Sequence, residues 1–232
     1  MVIGKIVKSD SHISYVCRIF GPHEVGDEPT PADYAFGRFV RIAVRAGQND
    51  VATLSPLNRL SGISQEPVTY AVGVIYDTIL QNPDYGMLGP RLSNETQVEL
   101  FSPDYLAEKA VLIYIMILGM MEQRIVPGSN VEFLSVMHGV PSLALELDSE
   151  IETMIDDEVR AFHYFSDANQ PERGSYLHMG YLPHIIAQRN SLLPMVTLRI
   201  IDQLEQLFPQ NHALLSIVKR NFAWRLKVET AG

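Results

Sequence analysis

An acidic run between residues 146 and 158 is the densest group of potential ligands in the sequence. It contains seven carboxylates and no basic residue: Glu146, Asp148, Glu150, Glu152, Asp156, Asp157 and Glu158. Carboxylate oxygens are the ligands that hard cations such as Ca²⁺ prefer. The run lacks the glycine-turned spacing of an EF-hand loop, and acidic side chains are also typical of a first helical turn. We therefore interpret it as a solvated helix face or a patch for a partner, and we predict no metal site.

Histidine and cysteine are the other residues suited to metal binding or nucleophilic chemistry. His163, His178 and His184 lack the i, i+4 spacing of H-E-x-x-H and have no cysteine companion of the kind that zinc favours. Cys17, the single cysteine, would need a neighbouring base such as His12 or His163 to act as a nucleophile. It falls on the apolar face of a predicted strand, where cysteine behaves as a small buried hydrophobe. We predict no catalytic role for it.

Signatures of common enzyme classes are absent from the sequence. It contains neither the nucleophile elbow G-x-S-x-G nor the dinucleotide-binding pattern G-x-G-x-x-G. We therefore predict a non-enzyme with no catalytic, cofactor-binding or metal-binding residues and no cofactor.

The C-terminal segment mixes basic and aromatic residues. Its members are Lys219, Arg220, Phe222, Trp224, Arg225 and Lys227. Such a mixture can stack on single-stranded nucleic acid, but a helix of this kind more often buries its apolar residues in a bundle. The cations can equally meet the acidic helix of a neighbouring subunit. The net charge of −9 disfavours nucleic acid as the main ligand, since a duplex-binding surface must neutralise several phosphates.

Composition places the chain among ordinary globular proteins. Its 232 residues are 47% hydrophobic and 19% charged, a balance that argues against overall disorder. A single cysteine and a start, MVIGKIVKSD, without a long apolar stretch predict a reducing, cytoplasmic setting. The longest apolar run, residues 110–121, is much shorter than the ~20 residues that a membrane-spanning helix needs. We expect no membrane span.

The first part of the chain shows the period of two that is typical of strands. Apolar and polar residues alternate over residues 13–19, 40–44 and 70–76. The run 111–118 is apolar on both faces, which fits a buried strand or a buried helix, and its Ile, Val and Tyr content favours a strand. A last strand is predicted near 131–136, after a Pro-Gly turn.

The pattern changes near residue 147. Apolar residues then recur at three- and four-residue steps over 147–162, which predicts an amphipathic helix. Two further helical patterns cover 182–208 and 213–228, and Pro194 is expected to kink or split the first of them.

These patterns predict an α+β fold class in which a small N-terminal β-barrel precedes a C-terminal α-helical region. Closing the strands into a barrel would leave no exposed sheet edge. The predicted division lies between a β domain at 1–140 and a helical domain at 141–232.

Four segments appear in the order and character of a known domain. They are VIGKIVKSD, AVGVIYDTILQNP, VLIYIMILG and VPGSNVEF. They resemble the HAS-barrel, the small β-barrel shared by HerA-type DNA-translocating ATPases and rotary ATP synthase subunits, and the resemblance spans residues 1–136. It implies a barrel fold and a role in assembly. In HerA-type proteins the barrel precedes a motor with the phosphate-binding loop G-x-x-x-x-G-K-[ST], and this chain has no such loop.

The leading hypothesis is a non-enzymatic assembly or adaptor protein that self-associates or binds a larger protein machine. The predicted protein interface consists of large apolar residues of the last two helices: Leu204, Leu207, Leu215, Phe222 and Trp224. Two alternatives stay open at this point. One is an accessory factor of a HerA-type DNA-processing motor that contacts nucleic acid through the basic terminal helix. The other is an enzyme without a recognisable motif.

We predict that the purified protein neither binds nor hydrolyses ATP, because no glycine-rich loop with a lysine is available to hold the phosphates. Isothermal titration calorimetry with ATP and Mg²⁺ is expected to show no heat of binding. Micromolar affinity would overturn this prediction.

Overall fold

The computed structural model describes residues 1–21, 23–44, 67–81, 110–126, 130–165, 176–188 and 190–229. Over these residues the fold is mixed α+β, as predicted, with a large antiparallel sheet and α-helices that lie mostly after it in the chain. The strands are β1 Val2–Ser9, β2 Ser14–Ile19, β3 Phe39–Ala43, β4 Val68–Gln81, β5 Ala110–Val126, β6 Asn130–His138, β7 Glu150–Thr153, β8 Tyr164–Phe165 and β9 Tyr176–Leu177. The helices are α1 Asp156–His163, α2 Leu182–Ala187, α3 Leu193–Leu207 and α4 His212–Glu229, with a 3-10 turn at Pro209–Asn211.

The main sheet has the order β2-β1-β7-β3-β4-β5-β6, and β2 also pairs with β5. Six of the seven strands are thereby linked in a cycle of antiparallel pairs, while β6 pairs with the end of β5 outside the cycle. Strands β8 and β9 form a separate two-stranded sheet.

Strand β5 is the longest strand of the sheet and contacts three others. It pairs with β4 from Ala110 to Gln123. On its other side, its first half pairs with β2 through Leu112–Met116 and its second half pairs with β6 from Gly119 onward. The side chains of Ile115, Ile117 and Leu118 are all fully buried, so both faces of the strand are covered near its middle. Stiff β-branched side chains suit such a position. The predicted strand over 111–118 is confirmed.

The predicted helix over 147–162 is wrong in its first half. Residues Glu150–Thr153 form β7, which lies between β1 and β3, and α1 begins only at Asp156. Within β7 the buried Ile151 and Thr153 alternate with two glutamates, which is a period of two. These residues form a strand despite their helical pattern because β1 and β3 pair with them on both sides and so bind their backbone N–H and C=O groups.

This strand lies beyond residue 140, so the sheet and the helices do not separate at that residue. Buried residues of the sheet and of the helices also belong to one contiguous core. The division into domains at 1–140 and 141–232 stays a prediction about independently folding units.

The helical region follows the predicted pattern more closely. The segment 182–208 is split into α2 and α3, and Pro194 lies in the first turn of α3, where its missing N–H has no partner to lose. The buried face of α3 includes Val196, Ile200 and Leu204. Among the described residues, no helix combines the length and apolar character that crossing a membrane requires.

Replacing Gly119 with Ala is expected to destabilise the protein. A Cβ atom at this position would clash with the backbone carbonyl of Met137 in β6, so the β5–β6 ladder would have to shift. We expect a loss of about 1–3 kcal/mol in the free energy of unfolding, the usual cost of overpacking. Gly26→Ala is the matched control, because no atom lies within 4 Å of a Cβ there. Equal urea midpoints for the two variants would contradict the β5–β6 register.

Candidate interaction surface on the helical region

Two histidines form a buried polar junction between the sheet and the helical region. The ring of His163 has no solvent exposure, its Nδ1 lies 2.8 Å from the Val159 carbonyl, and its Nε2 lies 2.8 Å from the Tyr181 hydroxyl. Because a carbonyl can only accept, Nδ1 carries the proton and the tyrosine donates to Nε2. His138 at the end of β6 donates from Nε2 to the Phe162 carbonyl at 2.8 Å.

The second nitrogen of His138 is also occupied. Its Nδ1 accepts from the backbone N–H of Gly180 at 3.0 Å, and its ring stacks on His178 with centroids 4.4 Å apart. Burial lowers the pKa of His138 to about 4 and that of His163 to about 3, which keeps both rings neutral at pH 7. His184 on α2 adds a third link by donating to the Ile117 carbonyl of β5 at 3.0 Å.

Of the three histidines that the sequence grouped, His163 belongs to this junction, His178 stacks on it through His138, and His184 bonds separately to β5. Sequence reasoning missed His138. His138 precedes His163 by 25 positions and reaches it only through the fold. Both ring nitrogens of His138 and of His163 have hydrogen-bond partners within the protein, so neither ring has a lone pair left for a metal. Nowhere in the described ranges do three or more His, Cys, Asp or Glu side chains converge as metal ligands.

The acidic run is divided among several structural contacts. Arg41 of β3 donates to Glu152 at 2.6 and 2.9 Å and also contacts Glu158, while its guanidinium lies 4.7 Å from the centre of the Tyr70 ring. The other oxygen of Glu158 accepts from the Ile155 N–H at 3.0 Å and so caps α1. These two glutamates thus join β3, β7 and α1. The exposed residues of the run lie before Glu152, at Glu146, Asp148 and Glu150, and between the two glutamates, at Asp156 and Asp157.

Cys17 is fully buried, as the strand pattern predicted. Burial raises the pKa of its thiol far above neutrality, which disfavours the reactive thiolate. The two histidines considered as its base are bonded elsewhere, His12 to the Pro141 carbonyl at 2.7 Å and His163 within the junction.

The five predicted interface residues lie in different environments. Leu204 and Leu215 are fully buried where α3 packs against α4, and Leu207 and Phe222 are half-buried. Trp224 is the exception, with 68% of its surface exposed. The two leucines at 204 and 215 therefore hold the helices together and are not accessible to a partner.

Trp224 belongs to an exposed apolar face of α4. Leu214 is 49% exposed and Ile217 is 55% exposed, and their spacing from Trp224 places all three on one side of the helix. We call these three residues the α4 face. The sequence did not single out Leu214 or Ile217, although their steps of three and seven residues were visible in it.

The basic residues of α4 differ in what they contact. Lys219 forms ion pairs with Asp202 and Glu205 of α3 and so helps to hold the helix in place. Arg220 is exposed and forms no ion pair with any described residue. The side chains of Arg225 and Lys227 lie outside the described residues.

An open cleft of about 370 Å³ lies between α1 and the turn that leads into α4. Its lining consists of Arg160, Ala161, Tyr164, Leu207, Phe208 and Gln210. The ring of Tyr164 stacks on that of Phe208 with centroids 5.8 Å apart and planes at 22°. We call this the α1 cleft. No sequence pattern pointed to it, because its residues come from two segments more than forty positions apart.

The junction predicts a pH dependence of stability. The pKa of each histidine is about 6.5 in the unfolded chain and lower in the folded one, so below pH 6.5 the unfolded state binds more protons. The free energy of unfolding is expected to fall as pH drops from 6.5 towards 4, by up to about 1.4 kcal/mol per pH unit for each buried histidine.

The double variant His163→Phe/Tyr181→Phe tests this directly. It removes both partners of one buried hydrogen bond, which leaves no unpaired group between them. Urea unfolding at several pH values should give a shallower slope for the variant than for the wild type. Carboxylates titrate in both proteins, so the difference between the two curves isolates His163. Identical slopes would contradict its burial as a neutral ring.

Comparison with known proteins gives a family for nearly the whole chain. Residues 1–54 and 60–231 match a family described as a domain of unknown function (DUF8166). No curated protein matches the sequence. Since the matched residues span almost the full length, the chain belongs to the DUF8166 family.

Proposed function

We propose that the protein is a non-enzymatic assembly protein that self-associates through the α4 face. The observation that carries this proposal is the exposure of Trp224 on the side of α4 that also exposes Leu214 and Ile217. Large exposed apolar side chains on one side of a helix are typical of protein interaction sites, and tryptophan is enriched among residues that dominate binding energy. A second copy of the chain is the proposed occupant.

The large sheet would serve as the rigid platform for this assembly. The pairing cycle through β2 and β5 supports a small barrel, in which six strands would have no free edge and β6 would extend from the rim. The resemblance to the HAS-barrel supports the same role, since that domain occurs in proteins that assemble. The motor loop is missing from the sequence, so the proposal does not extend to ATP hydrolysis or DNA translocation.

The use of the titratable groups supports a non-enzymatic role. His138 and His163 are neutral and bonded at both nitrogens, and the pair Glu152 and Glu158 is held by Arg41. A general base needs a free site within reach of a substrate proton. The single cysteine, buried and protonated, suits a cytoplasmic setting in which thiols stay reduced.

Trp224→Ala tests the proposal. We expect about 2 kcal/mol weaker association, which corresponds to roughly a thirtyfold higher dissociation constant, because the indole would lose its desolvated contacts with the partner. The melting temperature of the dissociated protein should not fall, since most of the indole is exposed within one copy. Multi-angle light scattering over a concentration series measures the association, and thermal unfolding measures stability.

Leu147→Ala is the matched control for this experiment. Leu147 is also largely exposed and apolar, but it lies in the segment before β7 and is not part of α4. Its replacement should leave association unchanged. A wild-type protein that stays monomeric at tens of micromolar would refute the proposal.

A further inference from the structure

We propose that Trp224 of one copy inserts into the α1 cleft of a second copy, so that the assembly forms head to tail. This inference rests on the proposed function and names the surface that the α4 face meets. The contact joins two different surfaces of the chain and is therefore heterologous.

The lining of the α1 cleft suits an indole ring. Ala161 and Leu207 provide apolar walls, and Tyr164 is 40% exposed above the buried Phe208, so its ring offers an aromatic face. Aromatic rings prefer offset-stacked or edge-to-face contacts with such a face. The volume of about 370 Å³ is ample for one indole.

Two polar groups at the cleft would fix the orientation of the ring. The guanidinium of Arg160 donates to Asp157 at 2.8 Å, and the Arg160 side chain is 44% exposed, so a face of the guanidinium can lie against an indole ring in a cation–π contact. The side-chain amide oxygen of Gln210 can accept from the indole N–H, the one polar group of the ring.

Charges around the two surfaces are complementary. Asp156 and Asp157 are exposed in the first turn of α1 beside the cleft. Asp157 pairs with Arg160 of the cleft, and Asp156 gives this turn its net negative charge. Arg220 lies four residues before Trp224, hence on the same side of α4, and it is exposed. With a net charge of −9 two copies repel each other over most of their surface. Contact between the acidic turn of α1 and the basic end of α4 is an orientation that reduces this repulsion.

A single copy cannot make this contact within itself. The cleft residues Leu207, Phe208 and Gln210 directly precede α4, whereas Trp224 lies twelve residues after the first residue of that helix, His212. At 1.5 Å per residue the two surfaces are about 18 Å apart along the helix axis. Each copy thus has one unoccupied cleft and one indole that is not bound in a cleft. A chain of copies has one such indole at one end and one empty cleft at the other, until the two ends meet and close a ring.

Complementary variants test the head-to-tail geometry. Ala161→Phe fills the cleft but keeps Trp224, while Trp224→Ala keeps the cleft but lacks the indole. Each variant alone should be monomeric at concentrations where the wild type associates, with a dissociation constant raised at least about tenfold. Mixing the two should give a heterodimer of one copy of each and nothing larger, because only one intact indole and one intact cleft can meet.

Gln210→Trp is a second way to fill the cleft. Gln210 is exposed in the 3-10 turn, so its replacement leaves the helix α1 unchanged. Gln210→Trp replaces Ala161→Phe in the experiment if a melting curve shows that Ala161→Phe does not fold. The double variant Ala161→Phe/Trp224→Ala, mixed with either single variant, measures residual association through other surfaces.

The outcomes separate this inference from the proposed function. A monomeric wild type would overturn both. An associating wild type that is disrupted by Trp224→Ala but unaffected by Ala161→Phe and Gln210→Trp would overturn only the head-to-tail contact, and it would indicate symmetric pairing of α4 faces. Two monomeric single variants that form no heterodimer on mixing would also overturn it.

Discussion

The pairing of β5 with strands on both of its sides is the constraint on which the structure depends. By pairing with β2 and β4, this strand closes the cycle of six strands. Its second half pairs with β6. Between the part of β5 that pairs with β2 and the part that pairs with β6, the Ile117 carbonyl accepts the hydrogen bond from His184 of α2. A change in the register of β5 would therefore displace the cycle of six strands, β6 and the helical region together.

The position of the helices follows from this arrangement. His138 is held at the end of β6 opposite Gly119, and it bonds to the carbonyl end of α1 and to the segment before α2. The buried face of α3 then packs into the common core, and α4 packs on α3 through Leu215 and Lys219. With those contacts made on one side, the opposite side of α4 has no packing partner among the described residues and is exposed with its apolar residues. The proposed assembly role therefore depends on which side of α4 packs against α3 and which side stays exposed.

The sequence pattern predicted the strands and helices whose spacing of apolar residues matches the faces that the fold buries. The strand over 111–118 could be recognised because its β-branched residues are buried on both faces, and Pro194 marked the break between α2 and α3. The strand β7 could not be recognised from the sequence, because its partners at residues 2–5 and 40–42 are remote in sequence and its apolar residues also fit the spacing of a helix. On α4, apolar residues occur nearly all round, so the sequence could not tell the packed Leu215 from the exposed Leu214. The α1 cleft depends on tertiary contacts and had no signal in the sequence.

Fluorescence of Trp224 tests the central claim most directly, because it is the only tryptophan in the chain. A solution of the wild-type protein is diluted through the range in which light scattering detects association, and the emission maximum and the quenching by acrylamide are recorded at each concentration. If Trp224 lies at the interface, the assembled protein shows emission at shorter wavelength and weak quenching, and dilution shifts both towards the values of a water-exposed indole. Emission and quenching that do not change while the protein dissociates would contradict the account.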